Sequence, residues 1–319
     1  MALAHMQSRV TISASCSSVQ FSVPAGRIGR TMKRHFWRGD LDRKIPTGVS
    51  MHEGALRPVF LNYTQEQLDG AYDQSAWAPE MAALEAEDGE AGSALRRRMP
   101  ARTERYGPSE AELVDIFAPA GARDAPILIF IHGGTWTRNS RRDVSYPAST
   151  VVERGVVYLA PDFGSLQTAR LPELVENCRR VVAWAVGNAS LFGGDPDRIF
   201  LSGHSAGAHL AACVLITDWN ARGVPADVVK GALLMSGMYD LYPVMLTSRS
   251  SYLKITTEEE AAFSPMRHLH RIVCPVAIVS ADQDSPEFKR QSACSPTRSP
   301  GWAGLPAVPN CSTATTFRK

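Results

Sequence analysis

A chain of 319 residues, 44% hydrophobic and 21% charged, is ordinary globular material, long enough for one large α/β domain or two smaller ones. No apolar run approaches the roughly 18 residues of a membrane span. The net charge of +2 divides into two basic ends and a body, residues 40–292, that is net acidic; Lys and Arg do not cluster there with aromatics, so neither nucleic acid nor a membrane is an expected partner.

Residues 1–50 are rich in Ser and Arg and lack periodicity, as in a transit peptide or an upstream extension preceding Met51. They are expected to be a disordered extension to a domain spanning 51–292. Residues 62–105 read as helical. LVDIFAP, from Leu113, alternates and stops at Pro119, which predicts an outer strand. PILIFIHGG and VVYLAPDF are continuous apolar runs, predicting strands buried on both faces. Leu171 to Ala189 is helical, with Leu174, Cys178, Val181, Val182 and Ala185 on one face and Pro172 in the first turn. IFLSG predicts a third buried strand, AGAHLAACVLI a helix, VVKGALLMSG a fourth strand and CPVAIVSAD a fifth. This alternation predicts an α/β fold with a mostly parallel, doubly wound sheet and right-handed crossovers. Six cysteines (Cys16, Cys178, Cys213, Cys274, Cys294, Cys311) form no C-x-x-C pair and read as thiols of a reducing compartment, so a cytoplasmic location is expected.

Three stretches carry chemistry. In GHSAG, Ser205 lies between a buried strand and an Ala-rich helix, where a nucleophile elbow forms. Gly203 and Gly207 allow the tight turn, and the helix N-terminus favours a developing oxyanion. In HGGTW, two glycines follow a buried strand and leave backbone N–H groups free; with the N–H of Ala206 they can form an oxyanion hole, where losing one donor lowers turnover roughly a hundred- to a thousandfold. His132 reads as a hydrogen-bonding residue that fixes this loop. Trp136 reads as a pocket wall or a packing residue and is carried as a candidate substrate-binding residue. In SADQDSPEF, Asp282 and Asp284 follow a late strand, where either places a carboxylate suited to orienting a histidine.

Together YDQSAWAP, IHGGTW, GGDPDRIFLSGHSAGAHLA, SGMYDL and DSPEFKRQS resemble the α/β-hydrolase superfamily, and within it the kynurenine formamidase (arylformamidase) branch beside the hormone-sensitive-lipase-like esterases. The resemblance runs from about Tyr63 to Ser292. It implies Ser205 as nucleophile, Gly133, Gly134, Thr135 and Ala206 as oxyanion donors, and Asp284, rather than Asp282, as the acid. It also implies hydrolysis of N-formylkynurenine, a small-molecule substrate, without metal or organic cofactor; separately, a homodimer is the assembly to test for.

The triad of this fold runs Ser, acid, His along the chain, yet no histidine follows His270. Of the histidines nearer the motifs, His204 is expected to point away from its neighbour Ser205, His209 to pack beneath the elbow, and His268 and His270 to lie at the amino end of the last strand. The segment 293–319 loses acidic residues and helical period and holds four prolines, so it is expected to be irregular, the family's C-terminal strand and helix being missing or altered through a frameshift or an alternative terminus. Without its histidine a serine hydrolase loses roughly a millionfold in turnover, about 8 kcal/mol of barrier. Two rival readings follow: a carboxylesterase on small aryl or acyl esters, and a non-catalytic ligand-binding protein on the same fold.

Overall fold

The computed structural model describes residues 57–294. The expectations for residues 1–50 and for the tail beyond Cys294 lie outside the described residues.

Thr64 opens α1 (Gln65–Tyr72) with a capping box, its hydroxyl accepting from Gln67 N while the Gln67 side chain accepts from Thr64 N. A single turn, α2 (Gln74–Trp77), leads to α3 (Met81–Arg98). The helical expectation through 105 fails after Arg98, because Pro100 disfavours helix at the residue before it. The chain instead forms β1 (Arg102–Arg105), antiparallel to β2 (Leu113–Phe117), so β2 is covered by β1 and is not the outer strand. Then follow β3 (Ala125–Ile131), α4 (Ala148–Val152), β4 (Val157–Pro161), α5 (Leu171–Asn188), β5 (Gly194–His204), α6 (Ala206–Leu215) and β6 (Val229–Met235). The short helices α7 (Tyr242–Met245), α8 (Ser250–Leu253) and α9 (Thr257–Ala262) precede β7 (Val276–Val279) and α10 (Pro286–Cys294).

The strands lie in the order β1-β2-β4-β3-β5-β6-β7, parallel from β4 to β7. Successive side chains alternate faces. Ile127, Ile129 and Ile131 of β3 join the larger core with the α5 and α6 side chains Leu174, Val181 and Leu210. Phe130 joins a second core with Phe117, Tyr158, Leu95 of α3 and Ala148 of α4. Burial on both faces fails farther along the sheet. Phe200 of β5 and Leu233 of β6 are exposed, because α3 and α4 build the second core over β2, β4 and β3.

Strand order positions the site. From β3 the chain moves to β4 on one side and returns through α5 to β5 on the other. The reversal between β3 and β5 is a switch point, and the crevice outside the carboxyl ends of such strands is where α/β sheets bind ligands. Ile131 pairs with Gly203, so the segments leaving β3 and β5 start side by side.

Candidate active site

Ser205 is the hinge between β5 and α6, with φ 53° and ψ −120°. Left-handed φ in a non-glycine residue costs on the order of 1–3 kcal/mol and persists only where its surroundings enforce it. Here backbone packing enforces it. Ser205 N donates to Met235 O at 2.8 Å, and Ser205 O accepts from Ala208 N at 3.0 Å. A Cβ on Gly203 would lie 2.5 Å from Gly207 O, and one on Gly207 would strike the carbonyl oxygens of Ile131 and His132. Strand, turn and helix therefore touch through glycine surfaces.

The loop after β3 lies directly against this corner. A Cβ on Gly133 would stand 2.9 Å from His204 O and 3.3 Å from Ser205 Cβ. Gly134 has φ 102°, followed by positive φ at Thr135 and Trp136. The Gly134 carbonyl accepts from Thr135 Oγ1 at 2.8 Å and from the N–H groups of Thr137 and Arg138 at 3.0 Å. The N–H groups of Gly133, Gly134, Thr135 and Ala206 make no backbone hydrogen bond to a described residue, so the elbow is bordered by amides with donor capacity to spare.

Two buried histidines support the loops. His132 Nδ1 lies 2.8 Å from Gly133 O, its ring stacks on Phe163 at 4.2 Å, and its Nε2, without a hydrogen-bond partner, is 3.9 Å from Asp162 Oδ1. Burial holds the His132 pKa below the ordinary value, against the Gly133 carbonyl and the Asp162 and Asp143 carboxylates. Trp136 is 1% exposed, and its Nε1 donates to His209 Nδ1 at 3.3 Å. His209 Nδ1 therefore carries no proton, and Nε2–H donates to Phe263 O at 2.8 Å. Burial pushes the His209 pKa down to about 4. The Trp136 indole thus packs under the elbow, in line with the packing alternative.

At the far end of the sheet Asp284 is 8% exposed, and its Oδ2 accepts from Ser236 Oγ at 2.6 Å and Ala281 N at 2.8 Å. Asp282 is exposed. Ser236 ends β6 with φ 49°, its N–H donating to Val279 O at 2.8 Å. The loop that follows is clamped by buried Gln291 of α10. Its Oε1 accepts from Tyr239 N at 2.6 Å and Asp240 N at 2.9 Å, and its Nε2 donates to Tyr72 OH of α1 at 2.9 Å. Tyr72 OH in turn donates to buried Glu287 at 3.2 Å. Ser236 and Gln291 escaped sequence reasoning; the only signal was their place inside SGMYDL and DSPEFKRQS.

His204 ends β5. It is exposed beside half-buried Ser205, and its Nδ1 would be 3.3 Å from a Cβ on Gly133. Although the ring keeps an accessible face, the protein packed around it holds its pKa below the ordinary histidine value, while Asp284 and then Glu85 of α3 pull the other way. Glu85 pairs with Arg138 at 2.6 Å, so the segment after HGGTW is tied to α3. His268 Nε2 lies 2.9 Å from Ala261 O, before β7 and away from these groups. An open depression of about 400 Å³ lined by Asp69, Gly70, Tyr72, Asp73 and Ser248 contains none of the site residues. Among the described residues no helix is long and apolar enough to cross a membrane.

Known proteins resemble this chain in sequence and fold. The BD-FAE family model matches residues 114–230, from β2 to the start of β6. The chain is 33% identical over 245 residues to the kynurenine formamidase of Danio rerio, covering 72% of this chain and 81% of that protein. It is 35% identical over 193 residues to the kynurenine formamidase of Salmo salar, covering 59% and 64%. It is 32% identical over 212 residues to esterase LipQ of Mycobacterium tuberculosis, covering 59% and 50%. A solved candidate thioesterase of Silicibacter sp. TM1040 superposes with a TM-score of 0.63 at 23% identity, over 72% of this chain and 85% of that one, a likeness of fold.

Proposed function

The chain belongs to the kynurenine formamidase family of α/β-hydrolases, and we propose that it hydrolyses the formamide of N-formylkynurenine at Ser205, releasing formate and kynurenine. The coarser statement, a serine hydrolase-type enzyme for formamide or ester substrates, follows from its relatives. The likeness to the kynurenine formamidase of Danio rerio carries the finer reading; the Gly133 backbone, 3.3 Å from a Cβ position to Ser205 Cβ, puts amides beside the serine and suits either substrate class.

In this reading the Ser205 oxygen attacks the formyl carbon. The carbonyl oxygen takes up the negative charge against the amides of Gly133, Gly134, Thr135 and Ala206. The C–N bond then breaks, and water releases formate from the formyl-serine. The donors are fixed before reaction by backbone strain and glycine packing, so little reorganisation is needed as charge develops. The scheme calls for a general base to take the Ser205 proton and for no metal or organic cofactor.

The likeness to LipQ supports a second reading, cleavage of small aryl or acyl esters. Turnover of N-formylkynurenine and of a short p-nitrophenyl ester by the 319-residue chain separates the two. The expected result is a kcat/KM at least tenfold higher for the formamide, abolished by Ser205→Ala. Preference for the ester selects the second reading. Tight binding of the formamide with no turnover, unchanged in Ser205→Ala, selects a non-catalytic binding protein.

A further inference from the structure

The scheme above needs a proton acceptor for Ser205, and residues 271–319 contain no histidine. Four other imidazoles in the described residues can be placed against that need. His209 uses both ring nitrogens, to Trp136 and Phe263. His132 is buried, with Nδ1 on Gly133 O and its ring on Phe163. His268 is held by Ala261 O, and His270 lies beside it in the turns before β7, at the opposite end of the strands from the crevice. None of these four faces Ser205.

His204 differs in every respect. It is covalently next to Ser205, with Cα atoms about 3.8 Å apart. Its side chain is exposed at the carboxyl end of β5, and neither ring nitrogen hydrogen-bonds to a described residue. Its Nδ1 lies over Gly133, on the loop that borders the nucleophile. His204 pairs with Met235 across β5 and β6, and the next residue, Ser236, donates to Asp284 Oδ2 at 2.6 Å, so the Asp284 carboxylate stands beside this corner; Asp284 and Glu85, the latter paired with Arg138, are the charged groups acting on the ring. Both carboxylates favour the protonated ring, which is what an acid partner does for a catalytic imidazole.

We propose that in this chain His204 accepts the Ser205 hydroxyl proton, directly or through one water, and that Asp284 stabilises the imidazolium so formed. This rests on the hydrolase reading of Ser205. As the Oγ–H bond breaks, its proton moves to a His204 nitrogen while Oγ bonds to the formyl carbon and the carbonyl electron pair moves to oxygen. On collapse the C–N bond breaks, and the imidazolium returns the proton to the departing aryl amine. Neutral His204 then takes a proton from the water that attacks the formyl ester, and it gives that proton back to Ser205 as formate leaves. The turn at Ser205 splays neighbouring side chains, which is why one bridging water belongs in the scheme; general bases act across such a bridge.

A fluorophosphonate serine probe on the full chain tests this, with labelling rate followed from pH 5 to 9. The wild type is expected to label, Ser205→Ala not at all, and His204→Gln at least a hundredfold more slowly. Added imidazole should restore part of the His204→Gln rate. The wild-type rate should inflect below the ordinary histidine value, and Asp284→Asn should lower it by a smaller factor. His270→Gln, outside the site, should label like wild type. Because His204 is exposed, its variant is expected to keep the wild-type melting temperature. Labelling of His204→Gln within threefold of wild type overturns the proposal and leaves the hydrolase reading intact. So does a wild type that labels only when imidazole is supplied. Labelling that survives Ser205→Ala, or a wild type inert even with imidazole, overturns both.

Discussion

The two ends of the crevice are built differently. The Ser205 corner, where β3 and β5 meet α6, is held by backbone. Gly133, Gly203 and Gly207 permit contacts that no side chain would survive, and Ser205, Gly134, Thr135 and Trp136 keep positive φ because their neighbours leave no alternative. The Asp284 end, where β6, β7 and α10 meet, is held by side chains: Ser236 on Asp284, Gln291 on the Tyr239 and Asp240 amides, Tyr72 on Glu287. A backbone-built site is set by short motifs and fails abruptly when they change. A side-chain-built site draws on distant parts of the chain and should fail by degrees.

Gly207→Val should break the backbone-built end. The new Cβ strikes the carbonyl oxygens of Ile131 and His132, neither of which is the end of a flexible side chain. Overpacking of this kind destabilises by about 3 kcal/mol or more. Probe labelling of Ser205 should vanish together with a large fall in melting temperature, seen by calorimetry. A variant that melts like wild type would show that β3 and α6 do not touch there.

Acid should stress the same end next. His209 is neutral in the fold with its pKa near 4, against roughly 6.5 in the unfolded chain. The unfolded state therefore binds the extra proton between those values. The stability that depends on neutral His209 is complete above about pH 6.5 and is lost as pH falls toward 4, a loss of about 3 kcal/mol. Denaturant unfolding of wild type and His209→Gln at pH 7 and pH 4.5 isolates this from other groups. His209→Gln should show the shallower dependence, and parallel curves would refute the assignment.

At the Asp284 end, Gln291→Leu leaves the Tyr239 and Asp240 amides without their Gln291 acceptor in a buried setting. Unsatisfied buried donors cost roughly 1–3 kcal/mol each, and partial relaxation of the loop should keep the total near 2 kcal/mol. The melting temperature should fall by roughly 4–8 °C. Labelling of Ser205 should slow about tenfold rather than vanish, because Asp284 keeps its bond from Ala281 N and the elbow is untouched.

The same contrast explains what the sequence made legible. GHSAG, HGGTW and the apolar strand runs are local signals for a backbone-built site, and the structure gathers them at the β3–β5 switch point. Asp284 stands out in the sequence by its neighbours in DSPEF, and in the fold its Oδ2 takes two donors while Asp282 is exposed. Ser236 lies 48 residues from Asp284, and Tyr72 lies 219 residues from Gln291, so no window of sequence contains those pairs. The exposure of Phe200 and Leu233 was equally hidden, since an apolar strand reads the same whether or not a helix covers its second face. β1 was missed because its pairing with β2, not its composition, makes Arg102–Arg105 a strand.

Trp136→Phe gives the smallest expected effect and separates packing from recognition. Trp136 immediately follows HGGT in the sequence, where a substrate wall would also be found. In the fold its indole is 1% exposed and meets His209 edge-on, with ring centroids 5.3 Å apart. Phenylalanine keeps most of the apolar volume but removes the donor to His209 Nδ1, at a cost of about 1 kcal/mol. KM for N-formylkynurenine and for the p-nitrophenyl ester should both stay within twofold of wild type, with stability slightly lower. The His209 pKa, read by NMR, should move, since Nδ1 loses the donor that kept it in one tautomer. A KM that rises several-fold for one substrate and not the other would instead put the indole in contact with that substrate, and would require the loop after β3 to open during binding.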